Sequence, residues 1–169
     1  MTAEDRAPLV VTLALPDEVQ ERLDALRREW FPAGRTAVGA HLTLFHAVPG
    51  ALLTQVRQDL DAAAAGGPVG LRFARVMSLG RGAAYAVESP DLGRRHDGLQ
   101  RAWWSHLTRQ DQQPLRAHVT LQNKVDPAVA RATVATLRAG FEPFDVEGPG
   151  FDLWRYDGGP WTHLDRFAG

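Results

Sequence analysis

Residues 40–46 read AHLTLFH, and residues 117–123 read AHVTLQN. In each stretch Ala is followed by His, an apolar residue, Thr and Leu, so His41 and Thr43 have counterparts in His118 and Thr120, 77 positions further on. On a β-strand successive side chains point to opposite faces. Alternation therefore puts His41 and Thr43 on one face and Leu42 and Leu44 on the other, and it does the same for His118 and Thr120. The aliphatic face anchors each strand in a core, and the open face carries an imidazole beside a hydroxyl. A lone His-x-Thr says little. Its recurrence at the same place in a repeated unit gives it weight.

The flanking segments repeat as well. Leu9 to Leu15 is a run of apolar and β-branched residues closed by Pro16, which reads as a buried strand. Asp17 then supplies an acceptor at the start of a helix in which Val19, Leu23, Leu26 and Trp30 form one apolar stripe. Pro32 and Gly34 end that helix, and Thr36 to Gly39 leads into the first His strand. A second helix spans about 51–65. Two strands follow, Val69 to Leu79 and Ala83 to Glu88, linked by Gly80-Arg81-Gly82 as a hairpin. Ala83 to Glu88 opens a second round: a helix from about Asp91 to Leu107, the second His strand, and a helix that Asp126 caps and Pro127 begins. Phe141 to Val146, Gly150 to Tyr156 and Trp161 to Phe167 read as further strands. The expected fold is α+β and bilobal, a single domain over 1–169. Its duplicated strand-helix-strand-helix units, about 9–82 and 83–167, have antiparallel sheets lining a central cleft and helices outside.

The 169 residues are 44% hydrophobic and 23% charged, enough for one domain with a sizeable core. No run approaches the roughly 18 apolar residues of a membrane span, and the first residues have no signal-peptide order. A cytoplasmic location, with no membrane partner and no obligate protein partner, is the expectation. With no cysteine, disulfides, thiolate catalysis and cysteine-ligated zinc are excluded. A formal charge of −1 argues against a long nucleic-acid surface. A phosphate-bearing substrate would be gripped at one group or one end.

Three chemistries compete for a pair of His-x-Thr faces. Zinc needs three or four ligands, whereas His41 and His46 point to opposite faces of their strand and His118 has no neighbour at a chelating step. A serine hydrolase would need a nucleophile elbow, and no Gly-x-Ser-x-Gly occurs. Phosphate chemistry fits best. Imidazoles titrate near pH 6.5, so one His can act as base while the other acts as acid across a phosphorus atom. The threonine hydroxyls can donate hydrogen bonds to the non-bridging oxygens. No metal or other cofactor is needed.

Two His-x-Thr motifs on strands of a duplicated α+β unit resemble the two-histidine (2H) phosphoesterase superfamily, in particular its RNA 2′,3′-cyclic phosphodiesterase and 2′-5′ RNA ligase-like branch. The resemblance runs from Leu9 to Phe167. It implies a water-filled cleft receiving His41, Thr43, His118 and Thr120, and metal- and ATP-independent chemistry on RNA ends or small nucleotides with a cyclic phosphate. It makes His118 the base that activates water and His41 the acid that protonates the leaving ribose oxygen; ligation in reverse would exchange these roles. Members of the ligase branch often carry an arginine shortly after the second motif, where this chain has Gln122, Asn123 and Lys124. Strict alternation puts Gln122 in the cleft, and Lys124 could replace part of the charge as a point charge without arginine's planar fork.

Further substrate-binding candidates are Phe45, on the face of His41 and Thr43; Arg81 and Tyr85, beside the first-half hairpin; and Trp154, Tyr156 and Trp161, around the Asp157-Gly158-Gly159-Pro160 turn. Aromatics there can stack on a base or simply pack a core. His46, His96, His106 and His163 read as surface or packing residues. Rival readings are a nucleotide-binding module without turnover, and a phosphodiesterase for a non-RNA cyclic phosphate such as one derived from ADP-ribose.

Overall fold

The computed structural model describes residues 2–34 and 38–169. Among these the chain runs α1 (Ala3–Arg6), β1 (Leu9–Leu13), α2 (Asp17–Trp30), β2 (Leu42–Val48), α3 (Leu53–Ala64), β3 (Val69–Ser78), β4 (Ala83–Glu88), α4 (Pro90–Trp103), β5 (His118–Gln122), α5 (Pro127–Gly140), β6 (Phe144–Gly148), β7 (Gly150–Arg155) and β8 (Thr162–Ala168). Part of the expected lead-in to the first His strand, Thr36 and Ala37, lies outside the described residues.

The strands build two antiparallel four-stranded sheets, ordered β2-β1-β7-β8 and β5-β4-β3-β6. This is the α+β architecture that the repeat suggests. Each His strand is the outer strand of its sheet, and β2 and β5 touch each other where the sheets meet. The sheets do not follow the limits 9–82 and 83–167. Strand β3 belongs to the second sheet because its four-residue link to β4 makes a hairpin, closed by a Leu79 N–H to Gly82 carbonyl bond of 2.9 Å, with Gly80 at φ 79°. The C-terminal hairpin β7–β8 returns to complete the first sheet.

Inward faces form one continuous apolar core. On β1, Leu9, Val11 and Leu13 enter it, while on β4 Ala83, Tyr85 and Val87 do so. The intervening Val10, Thr12 and Ala14, and likewise Ala84 and Ala86, lie on the opposite faces and are buried too. Helices α3 and α5 cover the two sheets, and α2 packs against β5. Ser89 caps α4, its hydroxyl accepting the Leu92 N–H at 3.1 Å ahead of Pro90. Asp126 holds the corresponding position on α5 without a side-chain capping bond, and Pro16 rather than Asp17 is the residue at the α2 cap.

Candidate active site

His41 stands immediately before β2, and helix α2 sets its position. The Asp24 carboxylate accepts the Ala40 N–H at 2.6 Å, and the Gln20 side-chain amide donates to the Ala40 carbonyl at 2.7 Å. The backbone of the residue before His41 is thus held from both sides. His118 opens β5, paired across to Ala86, and Thr120 pairs with Ala84 as Thr43 pairs with Thr12. Paired residues share a face of the sheet. The two His-x-Thr units thereby occupy matching places on two strands in mutual contact.

Both imidazoles are anchored in the same way. His41 Nδ1 lies 2.7 Å from the Gly39 carbonyl, and His118 Nδ1 lies 2.6 Å from the Arg116 carbonyl. A carbonyl only accepts, so Nδ1 carries the hydrogen in each ring and a neutral imidazole keeps its lone pair on Nε2. Each ring therefore has its orientation and tautomer set by the backbone two residues upstream.

Burial pushes the His41 pKa below its ordinary value. The Gly39 carbonyl opposes that shift, while the charges of Arg27, His118 and His46 reinforce it. Arg27 is buried, and burial lowers its own pKa. Its guanidinium donates to the Thr120 carbonyl at 2.7 Å and to the Val38 carbonyl at 3.2 Å, lying over the Phe31 ring. One side chain thus joins the approach to the first motif with the strand of the second.

Strict alternation fails at the same point in both strands. Thr12 pairs with Thr43 but Val11 pairs with Phe45, and Ala84 pairs with Thr120 but Ala83 pairs with Gln122. Leu44 and Leu121 are the extra residues of two β-bulges, which shift the facing of the residue that follows each by one position; β2 is irregular once more before Val48. Phe45 is consequently not in the cleft. It is buried in the core, stacked on His96 at 4.7 Å and edge-on to Trp103. Gln122 is likewise buried, donating to the Thr133 hydroxyl at 2.8 Å and the Trp30 carbonyl at 3.2 Å. Tyr85 also leaves the candidate set: its ring packs with Phe73, Phe141 and Phe144, and burial raises its pKa.

Of the remaining candidates, Trp161 comes directly against the site, its ring 4.7 Å from that of His41. Trp154 lies 6.0 Å behind it and is fixed by its indole N–H donating to the Thr12 hydroxyl at 2.9 Å. Tyr156 is exposed in the loop after β7. Arg81 is committed to the turn after β5, its Nε donating to the Val125 carbonyl at 3.1 Å while its own carbonyl accepts the Val125 N–H. Lys124 sits in that turn with a left-handed φ of 62°.

Three supporting residues escape a reading of the two motifs. Arg27 is one. His96, buried on α4, donates from Nε2 to the carbonyl of the bulged Leu44 at 3.2 Å. Asp111, also buried, accepts the backbone N–H groups of His46 and Ala47 and the His46 Nδ1–H. Burial alone would raise the Asp111 pKa; these hydrogen bonds outweigh it and lower the pKa. A signal for two of the three exists: Arg27 and His96 interrupt the apolar stripes Leu23–Trp30 and Leu92–Leu99 at positions that otherwise belong to core residues. Among the described residues no three His, Cys, Asp or Glu side chains gather into a group that could hold a metal ion.

The family model of the 2′-5′ RNA ligase superfamily matches residues 15–160. Among solved structures the chain is similar to TT0787 of Thermus thermophilus, at 20% identity, with 95% of this chain and 97% of that one covered and a TM-score of 0.66. It is also similar to LigT of E. coli, at 20% identity, 96% and 97% coverage and a TM-score of 0.62 in the apo form. The same LigT complexed with 3′-AMP matches at 19% identity, 96% and 98% coverage and a TM-score of 0.59. No curated protein matches the chain.

Proposed function

Because this chain belongs to the 2′-5′ RNA ligase superfamily, whose members include phosphoesterases and ligases, we propose that it is a metal-independent phosphodiesterase. It hydrolyses 2′,3′-cyclic phosphate ends of RNA or nucleotides, with 2′-5′ ligation as the parallel reaction in which a ribose 5′-hydroxyl attacks phosphorus in place of water. The observation that carries this reading is the matched pair of Nδ1–H bonds at His41 and His118, which leaves both Nε2 atoms for proton transfer. The LigT complex with 3′-AMP supports a nucleotide as the occupant of such a site.

In the proposed reaction His118 Nε2 takes a proton from water as the water oxygen bonds to phosphorus. The bond from phosphorus to one ribose oxygen breaks on the opposite side, and His41 Nε2–H gives that oxygen its proton. The product is a nucleoside monophosphate, and solvent returns the proton from His118 to His41. Thr43 and Thr120 donate hydrogen bonds to the non-bridging oxygens, whose charge grows in the transition state. Burial disfavours the His41 imidazolium in the empty site, and the bound phosphodiester anion favours it, so binding of the substrate raises the protonated fraction of the ring that acts as acid. The base of the nucleotide rests on Trp161 with Trp154 behind it, a stacking contact worth about 1–3 kcal/mol.

The test is hydrolysis of the four nucleoside 2′,3′-cyclic monophosphates under excess chelator. The wild type should turn over at least one of them to a single regioisomer, and His41→Ala and His118→Ala should each lose about 10²- to 10⁴-fold. An aryl phosphodiester, whose leaving group needs no proton, should restore activity to His41→Ala but not to His118→Ala. Activity lost with chelator would refute the metal-free scheme; nucleotide binding without turnover would make the protein a binding module.

A further inference from the structure

The face of the second sheet that carries His118 continues beyond it. Across the strands the rows read His118–Ala86–Arg75 and Thr120–Ala84–Met77. The two alanines in the middle of these rows leave the sheet low between its outer and inner strands. A recess of about 250 Å³ opens there, lined by Arg75, Met77, Ala86, Glu88, Leu115 and Arg116 among others. Two of these residues are arginines, and Arg116 is the residue whose carbonyl orients His118.

Arg75 is loosely held. Its guanidinium is 3.4 Å from the Glu88 carboxylate in a pair whose side chains are both more than 60% exposed, and such pairs contribute little. Among the described residues the first sheet offers no matching pair of arginines beside its motif. There Arg166 and the His163 ring are both taken up by the buried Asp152 carboxylate, at 2.8 and 2.9 Å, and Trp154 and Trp161 occupy the side of His41. The cleft is therefore aromatic at the His41 end and cationic beyond His118.

We propose that the recess is a second phosphate subsite, in which Arg75 and Arg116 hold a phosphate one nucleotide unit away from the reacting one. The inference rests on the phosphodiesterase reading above. Two strand spacings put the Arg75 backbone about 10 Å from that of His118. Long arginine side chains shorten that separation to one a nucleotide can bridge. Guanidinium groups suit the task because they form paired, charge-assisted hydrogen bonds to phosphate oxygens. Glu88 opposes the anion and so tempers its binding.

The experiment compares adenosine 2′,3′-cyclic phosphate with its 5′-phosphorylated form, each variant serving as its own control through the ratio of the two kcat/KM values. The wild type should prefer the 5′-phosphorylated substrate by about tenfold, expressed in KM. The ratio should fall toward one in Arg75→Gln/Arg116→Gln, and rise in Glu88→Gln. Added salt should shrink the wild-type ratio by screening. A wild-type ratio of one, or a ratio unaltered in the double variant, overturns the subsite. Should the double variant fail to fold, Arg75→Gln alone must still lower the ratio. An ADP-ribose cyclic phosphate provides the metabolite arm: whichever arginine-dependent preference is larger, RNA-end mimic or metabolite, names the source of the second phosphate. If the wild type hydrolyses none of the four nucleoside 2′,3′-cyclic monophosphates, with or without a 5′-phosphate, the phosphodiesterase reading fails. The subsite is then tested by calorimetry, with adenosine 3′,5′-bisphosphate expected to bind about tenfold tighter than adenosine 3′-monophosphate and equal affinities overturning it.

Discussion

His41 is the residue whose protonation reports most directly on the site. Three positively charged or chargeable neighbours, Arg27, His118 and His46, add to the effect of burial in disfavouring its imidazolium. Its NMR titration in the free protein should therefore have a midpoint below about 6.5. Saturation with a nucleoside monophosphate should raise that midpoint, because the bound anion favours the charged ring. Arg27→Met should raise it too, by removing a fixed positive charge. A midpoint that stays low with nucleotide bound would exchange the proposed roles and make His41 the base. Thr12 belongs at this scale as well: it faces Thr43 across the sheet and accepts the Trp154 indole hydrogen, so one hydroxyl links a motif strand to the aromatic side of the cleft.

At the scale of elements, the bulges after Thr43 and Thr120 decide what the cleft contains. Each adds one leucine to an outer strand, so the His and Thr face outward while Phe45 and Gln122 turn into the core. The second bulge depends on a close approach at Gly82, where a Cβ would stand 1.8 Å from the Gln122 carbonyl oxygen. Backbone, not a movable side chain, occupies that space. Gly82→Ala should thus force β4 and β5 apart, costing about 2 kcal/mol or more in urea unfolding. It should also lower turnover by shifting His118. Unchanged stability and turnover would show that the bulge does not need the close approach. In the first sheet the outer strand is secured differently, by Asp111 receiving the amides of His46 and Ala47.

For the whole molecule, two helices brace the sites reciprocally. Arg27 on α2, in the first half of the chain, reaches the Thr120 carbonyl, and His96 on α4, in the second half, reaches the Leu44 carbonyl. Neither motif strand is held by its own half alone, so the geometry between the histidines depends on the assembled fold. The braces also make stability depend on pH. Burial lowers the pKa of His96 as it does that of His41, with the Leu44 carbonyl and nearby Asp97 and Asp111 opposing. The unfolded chain, whose imidazoles titrate near 6.5, then takes up protons before the folded one does. Stability should be flat with respect to these two residues above about pH 6.5 and should fall as pH drops below it toward the folded pKa values. Urea midpoints measured between about pH 7.5 and about pH 5.5 read this loss directly, and His96→Leu should flatten the slope. A slope unaltered by His96→Leu would rule out its share.

The amino-acid sequence by itself determined the His-x-Thr pair, the apolar stripes of the helices, the β3–β4 hairpin and the α+β class. All of these rest on local periodicity and turn chemistry, which neighbouring residues set. Only the tertiary structure decided that Phe45 and Gln122 are core residues, because a bulge exists only relative to a paired strand and changes no residue in the sequence. The same holds for the division into sheets, where β7 and β8 join strands laid down at the start of the chain. It holds too for Arg27 and His96. Their places in the apolar stripes of α2 and α4 marked them as unusual, but their partners lie 93 and 52 positions away, at carbonyl groups that every residue possesses. Side-chain type signals chemistry along the chain, whereas a backbone acceptor becomes specific only when folding brings it within reach.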